Sequence, residues 1–272
     1  MMAMNPKWKL GVLVPLPALT MLWPASAKRN GEAQEAEPDY KNNNCVNCHS
    51  KLLEPLRVGN RYLEWRFSRH RDKGASCEKC HGGDPSAKDE RIAHAGVSPA
   101  SDQRSRLHWK NQPETCGVCH QNVASAFVES AHYKRLNGIG LGPSCNTCHA
   151  HMATRVIYSP TETAKLCSRC HDSIDSLKPS PEIPARAKET MMALQRAGYV
   201  IDWARVLLAG GQRLNLPLSA EADELKVAKD RLIEARVKWR TFDLDAVRKQ
   251  ADEAFIKGSK VKDELRKKLG SE

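Results

Sequence analysis

The chain reads Cys45-Val46-Asn47-Cys48-His49, Cys77-Glu78-Lys79-Cys80-His81, Cys116-Gly117-Val118-Cys119-His120, Cys145-Asn146-Thr147-Cys148-His149 and Cys167-Ser168-Arg169-Cys170-His171, and these five pentapeptides use all ten of its cysteines. Two thiols separated by two residues reach one edge of a porphyrin and add to its vinyl groups. The next residue then brings an imidazole over the macrocycle as proximal iron ligand, so C-x-x-C-H is the attachment signature of c-type haem. The other chemistries of paired cysteines fit poorly. A zinc ribbon pairs its thiolates without needing a histidine after each second one. A thioredoxin-like pair occurs once, beside a βαβ pattern that is not visible here. Five disulfides would leave the five histidines unexplained. The expected cofactors are five covalently bound haems, with Cys45, Cys48, Cys77, Cys80, Cys116, Cys119, Cys145, Cys148, Cys167 and Cys170 forming the thioethers. His49, His81, His120, His149 and His171 are the expected proximal ligands.

Working outward, the histidine count sets the coordination. Ten histidines less five proximal ones leave His70, His94, His108, His132 and His151, one for each iron. All five irons are therefore expected to be bis-histidine, six-coordinate and low-spin. His151 stands only two residues from His149 and should reach a neighbouring haem rather than its own. Met152 is the nearest methionine alternative, but methionine more commonly fills irregular apolar gaps. Ser68-Arg69-His70 precedes Gly74-Ala75-Ser76-Cys77, and Ser130-Ala131-His132 precedes Gly142-Pro143-Ser144-Cys145. The pattern S-x-H followed by G-x-S-C-x-x-C-H thus occurs twice, over repeats spanning roughly 45–98 and 116–151. Each repeat carries two motifs and a later histidine, His94 or His151. A segment containing His108 links them and the fifth motif follows at 167–171, an arrangement that suggests duplication of a two-haem unit.

From Cys45 to His171 the chain spends 127 residues on five haems. A compact segment of that length has a radius of gyration of roughly 14 Å, which leaves little room for protein between macrocycles. The haems themselves should form the core, packed together and wrapped by short helices and loops. The fold class expected is mostly α with extensive irregular loop and little or no β-sheet, in three parts: a cleaved leader at 1–27, a pentahaem domain at 28–185 and a helical region at 186–272. The proline-rich run Lys178-Pro179-Ser180-Pro181-Glu182-Ile183-Pro184 reads as the linker. Beyond it, 186–209 reads as a helix that Gly210-Gly211 stops, and Ser219 as an N-cap. Leu225, Ala228, Leu232, Ala235 and Trp239, then Leu244, Val247, Ala251, Ala254, Gly258, Val261 and Leu265, follow helical spacing. Small residues along both seams predict a close antiparallel hairpin around Thr241–Asp243.

Lys7 and Lys9, an apolar run from Leu10 to Trp23 and Ala25-Ser26-Ala27 have the form of an export leader cleaved near Ala27. The run is shorter than the roughly twenty residues of a membrane span and contains Pro15 and Pro17. A periplasmic or secreted location follows. Formal net charge is +11, of which the leader's two lysines supply two. Ten propionates and five ferric cores would bring the mature holoprotein to about +4, so much of the arginine and lysine is there to meet propionates. Basic stripes interleaved with aromatics are absent, which excludes nucleic acid as a partner.

Residues 77–94, CEKCHGGDPSAKDERIAH, resemble a stretch common in multihaem c-type cytochromes of the hydroxylamine oxidoreductase and octahaem reductase class. FVESAH at 127–132, followed by CNTCHAH at 145–151, is similar to a distal-histidine and haem pattern of the same group. The resemblance covers 45–171 and implies iron-ligand roles for His94 and His132, with a helical C-terminus. It implies electron-transfer chemistry more specifically than any one activity, because the group's enzymes carry more haems and keep one open. Here all five motifs end in histidine and the spare histidines suffice to close every site. The function expected is a periplasmic carrier with closely packed bis-histidine haems. Its redox partners would be a quinol-oxidising membrane cytochrome or dehydrogenase upstream and a reductase or outer-surface conduit downstream. The alternatives are a small multihaem reductase or oxidase of nitrogen or sulfur compounds with one open haem, or a subunit of an extracellular conduit, with homo-oligomer contacts through the C-terminal helices.

Overall fold

The computed structural model describes residues 38–52, 58–151, 156–172 and 180–270. The expected leader, Met152 and the start of the proline-rich run lie outside the described residues. Of the described residues 68% are helical, and no strand occurs among them. None of their helices is long and apolar enough to cross a membrane.

The motif-bearing segment is built from short helices: α1 (Asn44–His49), α2 (Val58–Arg66), α3 (Arg69–Asp72), α4 (Cys77–His81), α5 (Glu90–Ala93), α6 (Gln112–Gly117), α7 (Gln121–Val128), α8 (Ala131–Ile139), α9 (Cys145–His149) and α10 (Pro160–His171). Motifs one, two and four fill or end α1, α4 and α9. Motif five ends α10, and motif three begins in α6 and continues past it. A single helical turn is the economical backbone for C-x-x-C-H, since positions three apart share a face and both sulfurs point the same way.

The repeated serines are caps. Ser68 and Ser130 accept from the backbone N–H groups of Arg71 and Tyr133 at 3.4 and 3.0 Å, which starts α3 and α8 and puts His70 and His132 in the first turns. Ser76 and Ser144 stand at the N-caps of α4 and α9. The repeated glycines also have local causes. Gly74 holds φ +78°, and a Cβ on Gly142 would lie 2.7 Å from the His132 carbonyl oxygen, so only glycine lets the fourth motif's approach run this close to α8.

Apolar burial is uneven. Between 38 and 172 the buried apolar residues described are Trp65, Ala126, Phe127 and Leu136, whereas the other nineteen lie between 187 and 265. Trp65 donates through Nε1 to the Ala75 carbonyl at 2.7 Å and meets Tyr40 edge-on at 4.9 Å. Four buried side chains are too few to hold such a segment, because burial of a large apolar side chain contributes only about 1.5–3 kcal/mol against the entropy of ordering the chain.

The rest is a three-helix assembly of α11 (Glu182–Arg213), α12 (Ser219–Lys238) and α13 (Leu244–Lys268), with one 3₁₀ turn, Trp239–Thr241, between the last two. α13 buries Leu244, Val247, Ala251, Ala254, Gly258, Val261 and Leu265, and α12 buries Leu225, Ala228, Leu232 and Ala235, the seams expected from the spacing. The hairpin is therefore present, with α11 as a third partner to both arms. α11 does not stop at Gly210-Gly211 but runs to Arg213. The glycine serves packing instead: a Cβ on Gly211 would lie 2.5 Å from Leu218 Cδ1. The stop comes where Leu214 and Asn215 leave helical geometry, Asn215 at φ +56°. Pro184 is buried inside the first turn of α11 rather than in a linker, as suits a residue with no N–H to donate.

The two parts touch. α10 packs along α11, Gln195 Nε2 donates to the Tyr158 carbonyl at 2.5 Å, and the turn between α12 and α13 reaches the motif segment through Arg240 and Phe242.

Candidate haem-binding sites

Three motif histidines each face a histidine outside any motif. Ring centres are 6.0 Å apart for His49 and His94, 6.1 Å for His120 and His70, and 6.1 Å for His171 and His132. An imidazole nitrogen sits about 2 Å from a metal it binds, so two imidazoles on opposite sides of one iron have centres about 6 Å apart. His81 has His151 and His49 as its charged neighbours. His49 and His94 are already a pair, which leaves His151 for the second motif.

The surroundings of these histidines suit iron ligation. His151 Nδ1 is 2.6 Å from Glu64 Oε2, and Glu64 is itself held by Arg61 at 2.8 and 2.9 Å. His94 Nδ1 donates to the Glu90 carbonyl at 2.8 Å. A partner on Nδ1 fixes the tautomer and turns Nε2 toward a metal. His132 and His171 each keep a buried Nδ1 with no hydrogen-bond partner. Burial is the main cause that holds His49, His81 and His149 below the usual imidazole value, and it pushes His132 down to about 4, with His171 and Arg135 adding to it. Imidazoles kept neutral in this way are in the metal-binding form. Among the described residues no three histidine, cysteine or acidic side chains are grouped to hold a bare metal ion, and all ten cysteines are free thiols.

Those thiols adjoin in sequence order. Cys77 has Cys45 as a neighbour, Cys80 has Cys116 and Cys119, Cys116 and Cys145 hydrogen-bond to each other, and Cys167 has Cys148. Burial pushes the Cys77 and Cys167 thiols up to about 11.

His149 is different. Its Nε2 lies 3.5 Å from a guanidinium nitrogen of Arg240, and its other charged neighbours, His120 and His70, already face each other. His108, counted from the sequence as a distal ligand, is buried and packs on the Trp109 ring at 4.7 Å. Among the described residues it is not brought opposite a proximal histidine. Glu64, Arg240 and Phe242, whose ring lies 4.2 Å from that of His132, were not signalled by the sequence. Each is one of many residues of its kind with no motif around it.

Residues 101–173 match the family described as cytochrome c7 and related cytochrome c. That stretch holds motifs three to five with His108, His132 and His151. That stretch is thus similar to c-type cytochromes. The chain is also similar to the C-type polyheme cytochrome OmcC of Geobacter sulfurreducens, 28% identical over 116 residues that make up 39% of this chain and 14% of that protein. OmcB of the same species is 32% identical over 118 residues, 39% of this chain and 13% of that protein. The matched part thus spans a small fraction of these relatives' length. No solved structure matches the chain.

Proposed function

We propose that the protein is an exported electron-transfer protein carrying five c-type haems, one at each C-x-x-C-H. The observation that carries this reading is the three histidine pairs at 6.0–6.1 Å, each joining a motif histidine to one outside any motif. On this reading His94, His151, His70 and His132 would complete the iron coordination begun by His49, His81, His120 and His171. The bound groups supply reversible one-electron chemistry. The chain would fix their edges through ten thioethers, and burial favours the neutral, metal-binding form of His49, His81, His132 and His149. The order of adjoining thiols supports a relay from the first motif to the fifth. The scarcity of apolar side chains between 38 and 172 supports haems as the core of that segment.

The leader at 1–27 supports a periplasmic or secreted location. The partners proposed are redox proteins: a quinol-oxidising cytochrome or dehydrogenase as donor, and a reductase or surface conduit as acceptor. Two measurements on the secreted holoprotein test the reading. Its mass should show five covalent haems on a chain starting at Lys28, and its ferric spectra should be dominated by low-spin iron. Fewer haems, with cysteines oxidised in their place, would overturn it.

A further inference from the structure

α11 is apolar on two sides. One is the buried seam that packs on α12 and α13 through residues such as Leu194, Ala197, Ile201 and Ala204. The other faces out: Met192, Tyr199, Trp203 and Val206 are 53%, 73%, 52% and 60% exposed, and their steps of seven, four and three residues put them on one face of the helix. A surface helix ordinarily turns polar residues away from its core, so a second apolar face is an interaction surface. Phe255, Ser259 and Lys262 of α13 border it and complete an open groove. The rings there are held in place. Lys262 Nζ lies 5.1 Å over Trp203, and the Arg196 guanidinium lies 4.5 Å over Phe255 while pairing with Asp252 at 2.6 Å.

Gly210 is a separate sign on the same face. Gly211 and Gly258 each omit a Cβ that would strike a neighbour, but a Cβ on Gly210 would meet nothing within 4 Å. Glycine weakens a helix, and nothing within the described residues calls for this one. The charges bear on what covers the face. An acidic partner would select a surface of one sign, whereas here Arg196 pairs with Asp252, Lys262 with Asp263 at 2.8 Å and Glu189 with Arg248 at 2.8 Å, and Asp202 is exposed. Such a mixed surface suits another like itself. A second α11 laid antiparallel with the two-fold axis at Tyr199 sets Met192 opposite Val206 and the stem of Lys188 over Gly210. On one flank Arg196 then meets Trp203 of the second copy, a cation over a ring. On the other, Gln195 meets Asp202, a donor and a carboxylate. No like charges are opposed in this register.

We propose that this face of α11 is an isologous dimer interface, on which two copies of the chain pack antiparallel about Tyr199. Dimer formation by this face is independent of haem number. The full secreted protein should sediment at twice the mass of one chain at tens of micromolar. Tyr199→Glu, which brings two carboxylates together at the axis, should raise the dimer Kd about a hundredfold and leave helical circular dichroism and the urea midpoint unchanged, since the side chain is exposed. Met192→Glu and Val206→Lys should each do the same. The two combined in one chain should bring Kd back to within about tenfold of the wild type, because residue 192 of one copy faces residue 206 of the other. Within a chain these positions are about 21 Å apart along the helix, so the rescue has to be between copies. A protein that stays monomeric at those concentrations, or that binds an acidic redox protein through this face instead, would overturn the proposal. So would a dimer indifferent to Tyr199→Glu, or one that the double variant fails to restore.

Discussion

Glu64 illustrates how much a single side chain contributes to a histidine proposed as an iron ligand, His151. Its carboxylate meets His151 Nδ1 at 2.6 Å and is held from behind by Arg61. Its pKa is held below the usual carboxylate range: burial opposes ionisation, but hydrogen bonds from Arg61 and His151 outweigh it. An anionic partner raises the basicity of a ligating imidazole and favours the oxidised metal. Glu64→Gln should therefore raise the reduction potential of one haem while the chain stays low-spin, and a spectroelectrochemical titration would resolve it as one shifted component among five. His132→Ala acts more directly, since its ring faces His171 at 6.1 Å. On the proposed assignment it should convert one haem to high-spin, seen by EPR, with covalent haem number unchanged because the thioethers would lie on Cys167 and Cys170. An unchanged low-spin spectrum would make His132 a bystander.

At the scale of elements, the motifs and the repeated serines ahead of them were legible because a thiol pair and an adjacent imidazole lie within a few residues, whereas the role of those serines as N-caps comes from the structure. The helix seams were legible for the same reason, through spacing. Pairing was not, since His171 meets His132 only after α8, α9 and α10 have turned the chain back. Gly210-Gly211 misled because a local stop signal was outweighed by a packing need, the contact of Gly211 with Leu218. Gly258 has the same kind of role: its absent Cβ would lie 2.9 Å from Ile201 Cγ1, so α11 and α13 approach closely there. Gly258→Val should destabilise the helices by about 2–3 kcal/mol through overpacking, read as a lowered midpoint in urea. Between α12 and α13, Lys268 meets the buried Glu221 at 2.5 Å and, with a backbone hydrogen bond, holds its carboxyl below the usual range. A lowered folded-state pKa contributes stability above the unfolded value and loses it as pH falls through the folded one. The difference in urea midpoint between the wild type and Glu221→Gln should accordingly be present at neutral pH and vanish in acid.

For the whole molecule, the question is whether the helical region is a separate docking module or a wall of the haem sites. Residues 186–272 carry a net +5, and haem propionates would leave the motif segment close to neutral, so the helices form the more basic surface and favour acidic partners at low ionic strength. Their contacts nevertheless lie on the last two motifs: Arg240 stands at His149, Phe242 covers His132, and α11 packs along α10, which ends on the fifth motif. The first three motifs lie on α1, α4 and α6, and the histidines paired with two of them, His94 and His70, come from the same segment. A chain ending before Glu182 should therefore still acquire five covalent haems and keep its first three low-spin. His132 would lose the ring over it, and the fifth haem should become partly high-spin and exchange ligands. EPR of the truncated protein distinguishes this from a detachable module, for which the spectra would match those of the full chain and only electron exchange with an acidic partner would slow.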